Sequence, residues 1–334
     1  MNRSQWLSVG MVLVIMAGEA NGQERFVPST VSKEAAKLIR ELEPDHLPAA
    51  IKEEWQATWK ATEESFRALN ARALEEYPAE IERRSIAEME HLLLIPSSYD
   101  PVNAGRILVY VHGGAHTVSS PESTLMSSLA AAHFTRTKVL AVRYPLAWQK
   151  PHPASRDVIV AVYQTLLEDH LPRQIAMYGD SAGGAALMSA VLRIRDQGLP
   201  MPAALGLLSP WADVTNAGDS QALLQDADVT LDYEGNLKAS AELYAAGKDL
   251  RDPSVSPLYA DFRKGFPPAY ISTGTRDMFL SHCARLQRKL IDAGIENELV
   301  VHEGMWHVFQ VYPVPEARDA WRDMAAFLER HWAR

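Results

Sequence analysis

The feature that most constrains this chain is the rhythm of its apolar runs from about residue 86 onward. Short runs rich in Val, Ile and Leu alternate with longer segments whose apolar residues recur three or four apart. Segments 91–95, 107–111, 139–142, 175–178, 204–208, 269–273 and 298–302 read as strands. Segments 121–134, 157–169, 182–195, 280–293 and 315–331 read as helices, the first opened by Pro121 with Ser119 and Ser120 as caps. Alternation on this scale implies an α/β fold: a mainly parallel twisted sheet with helices on both faces.

Three stretches stand outside the rhythm. Residues 1–22 carry Arg3, an apolar run at 7–17, and small residues at Ala20 and Gly22. That order describes a signal peptide cleaved near Gly22–Gln23, and the run is short of the roughly 20 residues a bilayer span needs. An uncleaved anchor or a misplaced start is the other reading. The expected mature protein is secreted or periplasmic, with no stable membrane anchor. Residues 23–85 show helical patterns without strand signals, with Trp55, Trp59 and Phe66 near one helix face and Pro44, Pro48 and Pro78 as breaks. Residues 214–250 are acidic and mostly helical, and an insertion there would lie over the carboxyl edge of the sheet. The expected organisation is therefore a 1–22 signal segment, a 23–85 helical segment, and an 86–334 catalytic domain carrying the insertion.

Composition narrows the partners. The net charge is −9 and no long basic run is present, which argues against nucleic acid and anionic membrane surfaces. Cys283, the one cysteine of the chain, cannot pair within it and reads as a small buried apolar residue on a helix with Leu280, Leu286 and Leu290.

Chemistry concentrates at three places. Gly179-Asp180-Ser181-Ala182-Gly183-Gly184 follows a strand directly and opens a helix. A turn that sharp holds a serine in strained backbone and crowds the residues two before and two after it, hence the glycines at 179 and 183. It also sets the hydroxyl at a helix N-terminus, where amides favour developing negative charge. His112-Gly113-Gly114-Ala115 follows another strand. The main-chain amides of Gly113, Gly114, Ala115 and Ala182 are the candidate oxyanion donors, each such donor being worth about 3–4 kcal/mol of barrier. Among the eleven histidines, His307 lies in a loop between the last strand and the last helix. It is the expected general base for Ser181, with His302 as the fallback. Asp277, just past the strand at 269–273, is the expected acid partner. Asp252 reads as a turn cap, Asp180 as a support for the serine turn, and His112 as a loop-shaping residue.

Together these residues resemble the bacterial hormone-sensitive lipase family of α/β hydrolases. The likeness rests on HGGA at 112–115, GDSAGG at 179–184, SPWADVT at 209–215, DPSVSPLY at 252–259, GTRDMFL at 274–280 and EGMWHVF at 303–309. It implies an α/β-hydrolase fold and a serine carboxylesterase acting on short- to medium-chain esters through an acyl-enzyme. It implies neither cofactor nor metal. It also implies a cap built from segments 23–85 and 214–250. Ala115 replaces the family's third loop glycine, His116 its following aromatic, and Tyr144-Pro145-Leu146-Ala147-Trp148-Gln149 a conventional Tyr-Arg-Leu-Ala-Pro-Glu. A lactone, carbamate or amide substrate stays open with the same triad, as does a non-catalytic small-molecule binder. Oligomeric state is left open as well.

Overall fold

The strands of the core are buried on both faces, so their side chains divide by parity between two apolar layers. A computed structural model describes residues 25–44 and 52–332; the expected signal segment at 1–22 lies outside them. Its strands are β1 (Ala79–Ile86), β2 (Met89–Pro96), β3 (Ile107–Val111), β4 (Val139–Val142), β5 (Ile175–Asp180), β6 (Leu205–Leu208), β7 (Ala269–Gly274) and β8 (Asn297–His302). They form one sheet in the order β1-β2-β4-β3-β5-β6-β7-β8. The β1/β2 and β2/β4 pairs are antiparallel and all others parallel. The α-helices are α1 (Lys33–Glu41), α2 (Lys52–Ser65), α3 (Arg67–Glu76), α4 (Leu125–Thr135), α5 (Ala154–Asp169), α6 (Ser181–Asp196), α7 (Asp219–Leu223), α8 (Lys238–Ala245), α9 (Leu280–Asp292) and α10 (Pro315–His331).

Ile107, Val109 and Val111 of β3, with Ile175 and Met177 of β5, face a layer closed by α5, α6 and α9. The intervening Leu108 and Tyr110, with Ala176 and Tyr178, face a second layer closed by α4 and α10. In α10 the buried residues Ala317, Ala320, Trp321, Met324, Phe327 and Leu328 recur at helical spacing, which is why this helix formed as expected from its pattern. Cys283 is fully buried in the first layer, as its neighbours implied. Among the described residues no helix is long and apolar enough to cross a membrane.

Two local expectations are corrected. The stretch 23–85 is not purely helical: β1 occupies its end and pairs with β2 over eight positions. Its sequence, AEIERRSI, is charged on both faces because it is an edge strand, largely solvated and guarded by Glu80, Glu82, Arg83 and Arg84. No apolar alternation could announce it. The helix expected from Pro121 begins instead at Leu125. Ser120 and Ser123 bond each other's amides at 2.9 and 3.1 Å, and so hold 120–124 in a turn.

The tightest packing lies where α6 leaves the sheet. A Cβ on Gly183 would meet the carbonyl oxygens of Val111 at 2.2 Å and His112 at 2.3 Å, both fixed by the end of β3. Gly183→Ala is therefore expected to destabilise the fold by about 3 kcal/mol, the scale of an overpacked core. A thermal or urea melt reads this directly, and an unchanged midpoint would contradict it.

Candidate active site

Ser181 is the first residue of α6 and has φ of +51°, the left-handed conformation that the sharp exit from β5 imposes. It is nearly buried, and its carbonyl accepts the Trp211 amide at 2.9 Å. Gly179 has the same need for a missing side chain as Gly183, since a Cβ there would lie 2.8 Å from the Gly183 carbonyl carbon. Both expected glycine roles are thus seen as close approaches of backbone to backbone.

His307 and Asp277 converge on this serine from the far side of the sheet's carboxyl edge. His307 Nε2 stands 2.8 Å from Ser181 Oγ, and His307 Nδ1 stands 3.2 Å from Asp277 Oδ1. A carboxylate only accepts, so the proton belongs on Nδ1 and leaves Nε2 free to accept from the hydroxyl. Burial alone would push the His307 imidazole down, but attraction to Asp277 and its hydrogen bond hold it above the ordinary 6.5. Burial likewise works to raise Asp277, yet His307 and hydrogen bonds to its oxygens keep it below the usual carboxylate range. Those bonds include the Phe279 amide at 2.8 Å and Thr273 Oγ1 at 2.8 Å. The Phe279 ring meets His307 edge-on at 4.7 Å and limits its rotation.

Three other histidines of the described residues have partners of their own. His302 ends β8 in register with Gly274, its ring 4.9 Å from that of Phe309. His282 bonds Gln221 at 3.0 Å through Nε2. His112 donates Nδ1–H to the Gly113 carbonyl at 2.8 Å and stacks on Tyr144 at 4.2 Å, shaping the loop as expected. Asp252 accepts the Ser254 amide at 2.8 Å, the turn cap its sequence suggested.

The loop after β3 carries three of the four expected donors, and the structure commits one of them elsewhere. Gly114, Ala115 and His116 all have positive φ, at 104°, 50° and 63°. A Cβ on Gly114 would stand 2.4 Å from the Val118 carbonyl oxygen, so glycine is required there. The amides of Gly114 and Ala115 have no acceptor among the described residues, and Ala182 lies in the first helical turn, where amides have none within the helix. Gly113 differs: its N–H donates to Asp180 Oδ2 at 3.1 Å and is committed. Asp180 Oδ1 accepts the Tyr110 hydroxyl at 2.6 Å, so this carboxylate ties the serine turn to β3 and its loop. Burial raises the Asp180 carboxyl to about 6.

The insertion supplies a residue that the sequence patterns did not single out. Asp228 is fully buried and accepts the Met278 amide at 3.0 Å, one residue past Asp277. One signal existed. The tetrapeptide Ala-Asp-Val-Thr occurs at 212–215 and again at 227–230. In both copies the aspartate's Oδ1 takes the amide and hydroxyl of the threonine two residues on. Beyond it, α8 reaches the loop after β3, with Tyr244 stacked on His116 at 3.6 Å. The altered 144–149 segment braces the same loop, through the Ala147 amide to the His116 carbonyl at 2.8 Å and Trp148 Nε1 to the Thr117 carbonyl at 2.9 Å.

Comparison with known proteins agrees with this architecture. A family model described as the alpha/beta hydrolase fold matches residues 108–311. An acetyl-hydrolase of Streptomyces hygroscopicus is 36% identical over 67% of this chain and 75% of its own length. The crystal structure of the esterase E25 superposes with a TM-score of 0.87 at 30% identity, covering 95% of this chain and 99% of its own. An esterase described as belonging to the bacterial hormone-sensitive lipase family superposes with a TM-score of 0.77 at 26% identity, over 90% of this chain and 99% of its own. The motifs, the sheet order and these likenesses agree, and the chain belongs to the bacterial hormone-sensitive lipase family of α/β hydrolases as a carboxylic ester hydrolase.

Proposed function

We propose that this protein hydrolyses short- to medium-chain carboxylic esters by a two-step acyl transfer through Ser181, His307 and Asp277. The observation that carries this is the 2.8 Å approach of His307 Nε2 to Ser181 Oγ, with Nδ1 held by Asp277. Ser181 Oγ attacks the ester carbonyl carbon as its proton passes to Nε2. The carbonyl oxygen becomes an oxyanion, met by the amides of Gly114, Ala115 and Ala182. The bond to the alcohol oxygen then breaks, and the imidazolium gives that oxygen its proton. Water repeats the cycle on the acyl-enzyme, losing a proton to Nε2 and restoring the serine as the acid leaves. Asp277 stays ionised throughout and stabilises the imidazolium.

A short acyl group suits the surroundings. The side chains around Ala115 and Ala182 form a buried apolar cluster filled by Trp211, Tyr244 and Phe279. The name of the Streptomyces hygroscopicus acetyl-hydrolase points the same way. We further assign the helical part of segment 23–85, ahead of β1, and segment 214–250 to the cover of this site, and the segment 1–22 to export into a secreted or periplasmic compartment.

Ser181→Ala is expected to lower kcat on nitrophenyl acetate by about 10⁴-fold or more while its melting curve stays close to wild type. A fluorophosphonate probe should label the wild type and not the variant; a labelled Ser181→Ala protein, or one that still hydrolyses the ester, would overturn the assignment. The base must be neutral to accept a proton, and His307 is held above 6.5 in the folded protein. Activity is therefore present above that value and lost as pH falls through it, with the acid midpoint of kcat/KM above 6.5. A profile flat down to pH 4 would contradict this.

A further inference from the structure

Two fully buried carboxylates, Asp228 and Asp277, meet at the loop whose Asp277 holds His307 Nδ1. The consecutive amides of Met278 and Phe279 are divided between them: the first donates to Asp228 Oδ2 at 3.0 Å, the second to Asp277 Oδ1 at 2.8 Å. Asp228 Oδ1 is occupied by its own turn, with the Thr230 amide at 3.0 Å and hydroxyl at 2.9 Å, so its rotamer is fixed. Around it the insertion is stapled to the loop that carries Asp277. Ser220 Oγ donates to the Met278 carbonyl at 2.7 Å, and Arg276 Nε donates to the Ala227 carbonyl at 3.1 Å. Ser220 and Ser281 exchange amide-to-hydroxyl bonds at 2.9 and 2.8 Å. Val229, next to Asp228, is buried in one cluster with Met305, Trp306 and Phe309, which flank His307 in the chain.

We propose that Asp228 is a positioning residue of the site, holding the Asp277 loop through the Met278 amide and adding a second buried negative charge that stabilises the His307 imidazolium. This rests on the serine–histidine–aspartate reading above. Holding an amide needs no charge, since any neutral acceptor would do it at lower desolvation cost. A carboxylate at this point also places negative charge beside the Asp277 loop, where a neutral acceptor would place none. Burial and the neighbouring Asp277 raise the Asp228 carboxyl above the usual carboxylate range. The groups facing His307 are Asp277 from the loop after β7, Asp228 from the insertion, Asp180 from the end of β5 and His282 from α9. Burial pushes His282 down to about 4, so it is neutral and adds no opposing charge near pH 7. Arg276 also faces Asp228; bonded to the carbonyls of Ala227 and Phe26, its guanidinium keeps its positive charge and offsets part of the Asp228 charge.

The test is the pH dependence of kcat and KM for wild type, Asp228→Asn and Asp228→Glu on one nitrophenyl ester, with Ser181→Ala as the blank. Asp228→Asn is expected to lower kcat about tenfold with KM within about twofold, and to move the acid midpoint down by about 0.5 in pH. Asp228→Glu should return the midpoint to wild type, because it restores the charge. An Asp228→Asn midpoint that superposes on wild type would overturn the proposal, even with a lowered kcat, since a purely structural tie moves rate without moving titration. Should Asp228→Asn not fold, Asp228→Ala takes the same measurements, and failure of both to fold would assign the residue to architecture alone and overturn the proposal too. An active Ser181→Ala blank would instead overturn the serine reading, so the two failures are told apart.

Discussion

The close contact between the first turn of α6 and the end of β3 governs everything built at the carboxyl edge of the sheet. With no side chain at Gly183, the helix presses against the carbonyls of Val111 and His112. That contact sets how far the Ser181 hydroxyl stands from the amides of the loop that begins at His112. The same crowding twists Ser181 into a left-handed conformation, a local strain carried by the pairing of β5 with β3 and β6 on either side. Asp180 then locks the arrangement by joining the Tyr110 hydroxyl to the Gly113 amide. That lock occupies the Gly113 amide, while Gly114 and Ala115, both at positive φ, follow it in the same loop.

The electrostatics of the site follow from how few charges are dry. Three buried carboxylates, at 180, 228 and 277, surround one buried imidazole, and each is fixed by hydrogen bonds from backbone or hydroxyl donors. Low dielectric makes each charge felt across several ångströms, so the histidine stays easier to protonate than its burial alone would allow. The insertion contributes to this in two parts. Its first half, from Gly218 to Thr230, is bonded to the loop holding Asp277. Its second half, α8, leans on the loop after β3 through the stacking of Tyr244 on His116 and the Thr117–Ser240 hydroxyl pair at 3.1 Å. One inserted segment thus touches both walls of the site.

Much of this was legible in the chain because parallel strands covered on both faces must be apolar throughout, and the helices between them must carry an apolar stripe. The serine turn was legible because its geometry tolerates so few residues at 179 and 183. His307 was legible from its place in a loop between the last strand and the last helix. β1 was not, since a solvated edge strand with charges on both faces has no period to detect. Nor was Asp228, whose meaning depends on the amide of Met278, 50 residues away in sequence.

By itself, then, the sequence determined the α/β class, the positions of the glycines, and which serine, histidine and aspartate are available to react. These are local matters, decided by the burial pattern of each element and the space each turn allows. Only the tertiary structure decided that the Gly113 amide is taken by Asp180, and that the insertion brings Asp228 to the amide next to Asp277. Hydrogen-bond partners are chosen by distance in space, and a chain fixes that distance only when all its layers have packed.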